Sequence, residues 1–242
     1  ILQTLQDLFP ELPEPALEAV RVRRHLWLAL EGPDVASSLI PNLVASRLAN
    51  RLDLHGPAYT VDAACASSLI AVEQACAMLR NGETDLMLVG GVHLSHDLGF
   101  WATFCQLGAL SRTGMVRPLS KDADGILAGE GVRMAVLKRL PDALSDGDRI
   151  YAVIEGTGSS SDGRSTSLIA QSPGGQHIAL ERAWARVPFE RDLIGLVEAH
   201  GTGTPTGDAV ELETLRTFFG PHRGPGERPV VLVAALAGDV VV

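Results

Sequence analysis

The chain has 242 residues, 46% of them hydrophobic, and 20 Lys and Arg against 29 Asp and Glu leave a net charge of −9. This ordinary but acidic composition argues against nucleic acid or an anionic membrane surface as a partner, and no apolar run reaches the roughly 18 residues that a membrane span needs. Residues Ile1 to Pro10 lack a basic stretch followed by an apolar one, so no signal peptide is expected. Three cysteines, Cys65, Cys76 and Cys105, with no CxxC pair argue against a disulfide framework or a zinc site. The expectation is a reducing, cytoplasmic setting with room for one functional thiol.

Up to about Leu54 the sequence reads as short helices interrupted by Pro10, Pro13, Pro15, Pro33 and Pro41, each lacking the backbone donor a helix interior needs. Leu43, Leu48, Leu52 and Leu54 predict a helix over Asn42 to Leu54. After His55-Gly56-Pro57, the residues Tyr59, Thr60 and Val61 favour a strand. Ala64 to Arg80 then predicts a helix with Leu69, Val72, Cys76 and Leu79 on one face, stopped by Asn81-Gly82. Asp85 to Val89, ended by Gly90-Gly91, reads as a strand buried on both faces. Residues 59 to 91 therefore predict a βαβ unit with a right-handed crossover.

Further strands are predicted at Arg133 to Lys138, Ile150 to Glu155, Ile194 to Ala199 and Pro229 to Leu236. Two further helices are predicted at about Gly175 to Ala185 and Asp208 to Phe219. In the second, Asp208 is read as the cap, Glu211 as its capping-box partner and Gly220 as the stop. Ser159 to Pro173, rich in Ser and Gly, reads as a surface loop. The order of elements is mixed α/β.

Two stretches carry chemistry. In Asp62-Ala-Ala-Cys-Ala-Ser-Ser68 the cysteine falls at a strand-to-helix turn. The positive end of a helix dipole and unpaired N–H groups there favour the nucleophilic thiolate. The small flanking residues admit a bulky thioester, and the first helical N–H groups are placed to receive an oxyanion. Taken alone, a free cysteine is more often a buried packing residue, and that reading holds for Cys76 and Cys105. The second stretch is Val197-Glu-Ala-His-Gly-Thr-Gly-Thr-Pro-Thr-Gly-Asp208, where a strand delivers His200 to its carboxyl end. Gly201, Gly203 and Gly207 permit close backbone approach, and the Thr202 and Thr204 hydroxyls suit a polar, extended ligand. The string is neither GxGxxG nor a P-loop, which argues against a nucleotide phosphate.

Together these stretches resemble the β-ketoacyl synthase family. VDAACASSL (Val61 to Leu69) resembles the nucleophile motif, and EAHGTGTPTGD (Glu198 to Asp208) resembles the loop bearing the first of two catalytic histidines. LGALSRTGMVRPLSKDADGILAGEG (Leu107 to Gly131) and LKRLPDALSDGDRIYAVIEGTG (Leu137 to Gly158) are similar as well, so the likeness runs from about residue 41 to 220. The stretch from Pro41 to Leu69 looks most like iterative polyketide, enediyne or polyunsaturated-fatty-acid synthases.

The resemblance implies a thiolase-like layered α-β-α-β-α fold, incomplete in this chain. The expected division is a helical segment of a truncated first half (1–54), the nucleophile-bearing part of that half (55–145) and the start of the second half with the HGTGT loop (146–242). It implies acyl transfer from an acyl-carrier protein to Cys65, then decarboxylative condensation with malonyl-carrier protein assisted by His200. It implies contact of Thr202 and Thr204 with the phosphopantetheine arm, which the carrier delivers, and no metal or tightly bound cofactor. Glu130, Asp122, Asp124 and Asp208 are expected to hold loops near the site, and a homodimer is a family expectation.

The family's second histidine lies in a Lys-x-x-x-Gly-His string. No such string occurs in this sequence: after His200 comes only His222, in Gly-Pro-His-Arg-Gly, and no lysine follows Lys138. The Gly-Phe-Gly segment supplying the other oxyanion donor is also missing. A fragment of a longer enzyme is the expectation. A coenzyme A thiolase and a truncated, non-catalytic ketosynthase-like domain or scaffold subunit remain alternatives.

Overall fold

The computed structural model describes residues 10–11, 13–28, 40–94, 98–164, 171–220 and 231–234, with the backbone alone at 20, 23–28, 98 and 231–234. The chain groups into two compact units, Ile1–Val61 and Asp62–Val242. The first holds two helices, α1 (Glu14–Leu28) and α2 (Asn42–Arg51). α2 follows the predicted span but buries none of its residues; Leu48, Leu52 and Leu54 are all exposed. Asn42 spends its side chain locally, accepting a hydrogen bond from the Thr60 N–H at 3.0 Å.

The second unit is built on the helix predicted after the nucleophile. A single 3₁₀ turn, Ala64–Ala66, leads into α3 (Ser67–Arg80). Val72, Ala75, Cys76 and Leu79 fall on one face of α3, as a 3.6-residue period requires, and are buried. Leu69, predicted on that face, stays exposed. At the carboxyl end Gly82 turns the chain at φ +72°, and the Arg139 guanidinium donates to the carbonyls of Leu79 (3.1 Å) and Thr84 (2.7 Å). A cation there complements the negative end of the helix dipole.

β1 (Leu86–His93) pairs antiparallel with β2 (Gly131–Lys138), joined in sequence through α4 (Leu98–Gln106) and the motif loop after it. One face of this ribbon, with Met87, Val89, Ala135 and Leu137, packs on α3 to form the main apolar cluster. The opposite face keeps Leu86, Val92, Val132, Met134 and Val136 exposed, so β1 is buried on one side, not two. Nor do Gly90 and Gly91 end it. At Gly90 the Arg133 carbonyl and the Met134 backbone of β2 occupy the space a Cβ would need, so glycine there permits pairing.

Residues 59–61 form no strand, and the expected βαβ unit is absent: the partner of β1 is the antiparallel β2. Predicted strand 150–155 likewise joins no ladder, although Ile154 packs against the apolar cluster. Both segments carry β-favouring side chains, but a strand exists only where a partner edge is presented.

α5 (Leu140–Asp146) follows β2, and α6 (Pro173–Trp184) follows the Ser-rich segment. Residues 165–170 of that segment lie outside the described residues. After a 3₁₀ turn at Arg191–Leu193, β3 (Leu196–Ala199) leads through the Gly/Thr loop to α7 (Pro205–Phe219). β3 pairs in parallel with β4 (Val231–Ala234); the remainder of the predicted last strand and His222 lie outside the described residues. α6 and α7 join through aromatic rings, with Trp184 edge-on to Phe218 and Phe219, and the Arg191 guanidinium 3.7 Å above the Phe218 ring.

Leu79→Ala removes a side chain that is 4% exposed at the centre of the α3 cluster. It should lower stability in urea unfolding by about 2–5 kcal/mol, whereas Val136→Ala on the open face should cost less than about 1 kcal/mol.

Candidate active site

α3 brings Cys65 forward. Ala64, just before it, holds φ at +51°, a left-handed conformation that costs a non-glycine residue about 1 kcal/mol. The turn is fixed by local bonds: the Ala64 N–H donates to Asp62 Oδ1 (3.0 Å), and the Ser67 hydroxyl accepts from the Ala63 N–H (2.9 Å) while donating to the Ala64 carbonyl (2.7 Å). Cys65 is exposed at this turn.

β3 and the Gly/Thr loop bring His200 to the thiol. The two side chains come close enough to interact as donor and acceptor, and each shifts the other. The bond to His200 lowers the Cys65 thiol below its ordinary range, with the imidazole's charge adding to it and burial opposing. The same bond raises His200, against the cost of burial and with help from the Cys65, Glu211 and Asp208 charges. Both shifts favour the thiolate–imidazolium form. Cys76 behaves in the opposite way: burial pushes its thiol up, toward the unreactive form. Cys105, expected as a buried packing residue, is exposed.

The backbone bearing His200 is held by two carboxylates that the local pattern assigns to helix capping. α7 starts at Pro205 with Thr204 as its N-cap residue, and neither Asp208 nor Glu211 closes a capping box. Glu211 instead accepts the N–H groups of His200 (2.7 Å) and Gly201 (2.9 Å), one on each oxygen. Asp208, 4% exposed, accepts from Gly203 (3.0 Å) and from the N–H of Leu119 (2.6 Å), far away in sequence. A carboxylate so buried survives because both oxygens are bonded and it lies in the first turn of α7, at the positive end of the dipole.

Through Asp208 the histidine loop is joined to the motif loop at 107–130. The Gly125 N–H also donates to the Gly203 carbonyl at 2.9 Å. Gly203 has φ +74°, and a Cβ on it would lie 3.0 Å from the Gly125 carbonyl oxygen and 3.2 Å from Val116 Cγ2; glycine is what lets the loops touch. Asp124 organises the partner loop by accepting from the Ser111 hydroxyl (2.8 Å) and from the Thr113 N–H (3.1 Å) and hydroxyl (3.0 Å), which hold its carboxyl below the usual range, the Ser111 bond foremost.

Thr202 and Thr204 turn their hydroxyls to each other at 2.8 Å, both half-buried. At Gly207 a Cβ would come within 2.5 Å of the Thr204 hydroxyl and 3.0 Å of that of Thr202, so the helix start must be bare to leave the pair in place. Of the residues singled out from sequence, Cys65 and His200 are near enough to shift each other, and the two threonines lie on the same loop as His200. The sequence reading missed Glu211 as the support of that loop. Its only signal was an Asp-x-x-Glu spacing that equally fits a capping box. Among the described residues no group of three or more His, Cys, Asp or Glu is placed to hold a metal ion. No helix among them is long and apolar enough to cross a membrane.

Comparison with known proteins matches residues 27–143 to the β-ketoacyl synthase N-terminal domain and residues 151–235 to its C-terminal domain. The phthioceranic/hydroxyphthioceranic acid synthase of Mycobacterium tuberculosis is 45% identical over 179 residues, 74% of this chain and 8% of that protein. A polyunsaturated fatty acid synthase polypeptide of Thraustochytrium is 40% identical over 207 residues, 86% of this chain and 7% of that protein. Among solved structures, the ketosynthase from module 6 of the bacillaene synthase of Bacillus subtilis superposes with a TM-score of 0.75 at 36% identity, covering 80% of this chain and 35% of that one. This chain thus spans about a third of that ketosynthase and less than a tenth of these two synthases. The chain belongs to the β-ketoacyl synthase family, and its fold is part of the ketosynthase, thiolase-like α/β fold.

Proposed function

We propose that the chain is the active-site portion of a ketosynthase that condenses carrier-bound acyl and malonyl thioesters in polyketide or fatty acid synthesis. The observation that carries this reading is the Cys65–His200 pair, each member on its own family-matched segment. The Cys65 thiolate attacks the carbonyl of an acyl thioester on the phosphopantetheine arm of an acyl-carrier protein. The C–S bond to the arm breaks, the departing sulfur takes a proton, and the acyl group remains on Cys65. Malonyl-carrier protein follows. Its carboxylate leaves as carbon dioxide, and the electron pair passes into an enolate whose oxygen receives a hydrogen bond from His200. The enolate carbon attacks the acyl-Cys65 carbonyl, forming the new C–C bond and releasing the thiolate.

Thr202 and Thr204, with hydroxyls mutually bonded and half-buried, are assigned to the phosphopantetheine arm. The gap between the two family matches, one ending at 143 and the next beginning at 151, supports the division of halves at about residue 145. The iterative polyketide or polyunsaturated-fatty-acid subtype draws support from the 40% identity to the Thraustochytrium protein. Homodimerisation and a cytoplasmic location rest on family resemblance and on composition.

Incubated with an acyl-carrier thioester, the chain should gain one acyl group on Cys65, blocked by iodoacetamide and abolished by Cys65→Ala; peptide mass spectrometry locates it. Equal acylation of Cys76 would reassign the nucleophile. The pKa shifts set a second expectation. With the thiol lowered, carboxymethylation of Cys65 should persist below the ordinary thiol range and fall only as pH drops through the lowered value. His200→Ala should move that fall upward and slow the reaction at pH 7 by about tenfold or more, since one pKa unit changes the thiolate population about tenfold. The same variant should cut malonyl decarboxylation in an enzyme containing this segment by more than it slows self-acylation, which loses only the thiolate share and recovers as pH rises.

A further inference from the structure

We propose that Ser67 is a positioning residue for the nucleophile: its hydroxyl locks Ala64 in a left-handed turn and thereby aims the Cys65 sulfur at His200. The inference rests on Cys65 being the nucleophile.

A serine in the first turn of a helix ordinarily caps it, turning its oxygen toward N–H groups ahead in the helix. Ser67 does otherwise: α3 has no side-chain cap, and both hydrogen bonds of the Ser67 hydroxyl run backward. It accepts from the Ala63 N–H at 2.9 Å and donates to the Ala64 carbonyl at 2.7 Å, so one side chain clasps the 62–63 and 64–65 peptide units that bracket Ala63 and Ala64. The Ala64 carbonyl also receives the Ser67 N–H. From the other side, Asp62 Oδ1 holds the Ala64 N–H at 3.0 Å.

What is clasped is a strained residue. Ala64 has φ +51°, where its methyl crowds the backbone, and Ala63 before it sits at φ −133°, ψ 35°. Released from these bonds, Ala64 would relax to negative φ. The Ala64–Cys65 peptide would then rotate and carry the thiol away from the imidazole that shifts its pKa. The strain is local, but its consequence is read at the sulfur. A glycine at position 64 would adopt the same turn without strain and make the clasp unnecessary.

The test uses the full chain and the pH profile of Cys65 carboxymethylation, with Cys105 as the exposed internal reference. Ser67→Ala should shift the Cys65 profile to higher pH and slow labelling at pH 7 by about tenfold, while Ser67→Thr, which keeps the hydroxyl, should stay within about threefold of the parent. The double variant Ala64→Gly/Ser67→Ala should return to the parent profile. A Ser67→Ala profile unchanged in a chain of native circular dichroism would overturn the proposal, as would a double variant no better than Ser67→Ala. Should Ser67→Ala fail to fold, Ala64→Gly and the double variant are compared. They should coincide, and a tenfold gap between them refutes the clasp. If Cys65 in the parent labels no faster than Cys105, the nucleophile assignment itself fails and this proposal with it. That outcome is distinct from a reactive Cys65 indifferent to Ser67.

Discussion

A thiol from the turn before α3 and an imidazole from the end of β3 lie close enough to shift each other's protonation, and the surrounding loops hold the turns that carry them. The thiolate is favoured because the imidazole is there, and the imidazolium because the thiolate, Glu211 and Asp208 are there. The site's chemistry is therefore a property of two turns held in register.

Each turn is held by polar atoms, since neither buries enough apolar surface to be fixed by packing. On the histidine side, Glu211 and Asp208 spend all four carboxylate oxygens on backbone N–H groups, three of them within the Gly/Thr loop and one at Leu119. Leu119 itself sits at φ +58°, so the Asp208 bond also secures a conformation its side chain disfavours. On the cysteine side, Asp62 and Ser67 do the same around Ala64. In both places a residue next to the chemistry is kept in a left-handed conformation by hydrogen bonds, which ties local stability to reactivity.

Much of this was legible in the sequence, and the parts that were not share a cause. α3 and its stop at Asn81-Gly82 could be read because a 3.6-residue spacing of Val72, Cys76 and Leu79 is a local signal. α7 could be read for the same reason, though its first turn was placed three residues late. The strand at 59–61 and the one at 150–155 were misread because β-favouring side chains say nothing about whether a partner edge is available. Gly90-Gly91 was read as an end of β1, yet the strand runs on through it to His93, and β2 fills the space a Cβ at Gly90 would need. Asp208 and Glu211 show the limit most plainly. Their spacing is that of a capping box, and only the position of the His200 and Leu119 N–H groups diverts them to the loops.

The sequence by itself pointed to Cys65, His200, Thr202 and Thr204 as candidates, and to the mixed α/β order and the helices that carry their signal locally, because each depends on residue type and short-range spacing. Tertiary structure alone decided that Cys65 lies near His200, that Cys105 is open where a packed thiol was expected, and that β1 pairs antiparallel with β2. It also decided that two carboxylates support a loop in place of capping a helix. These outcomes depend on which groups arrive at the same point from distant parts of the chain, and hydrogen bonding and burial act only on groups that have arrived.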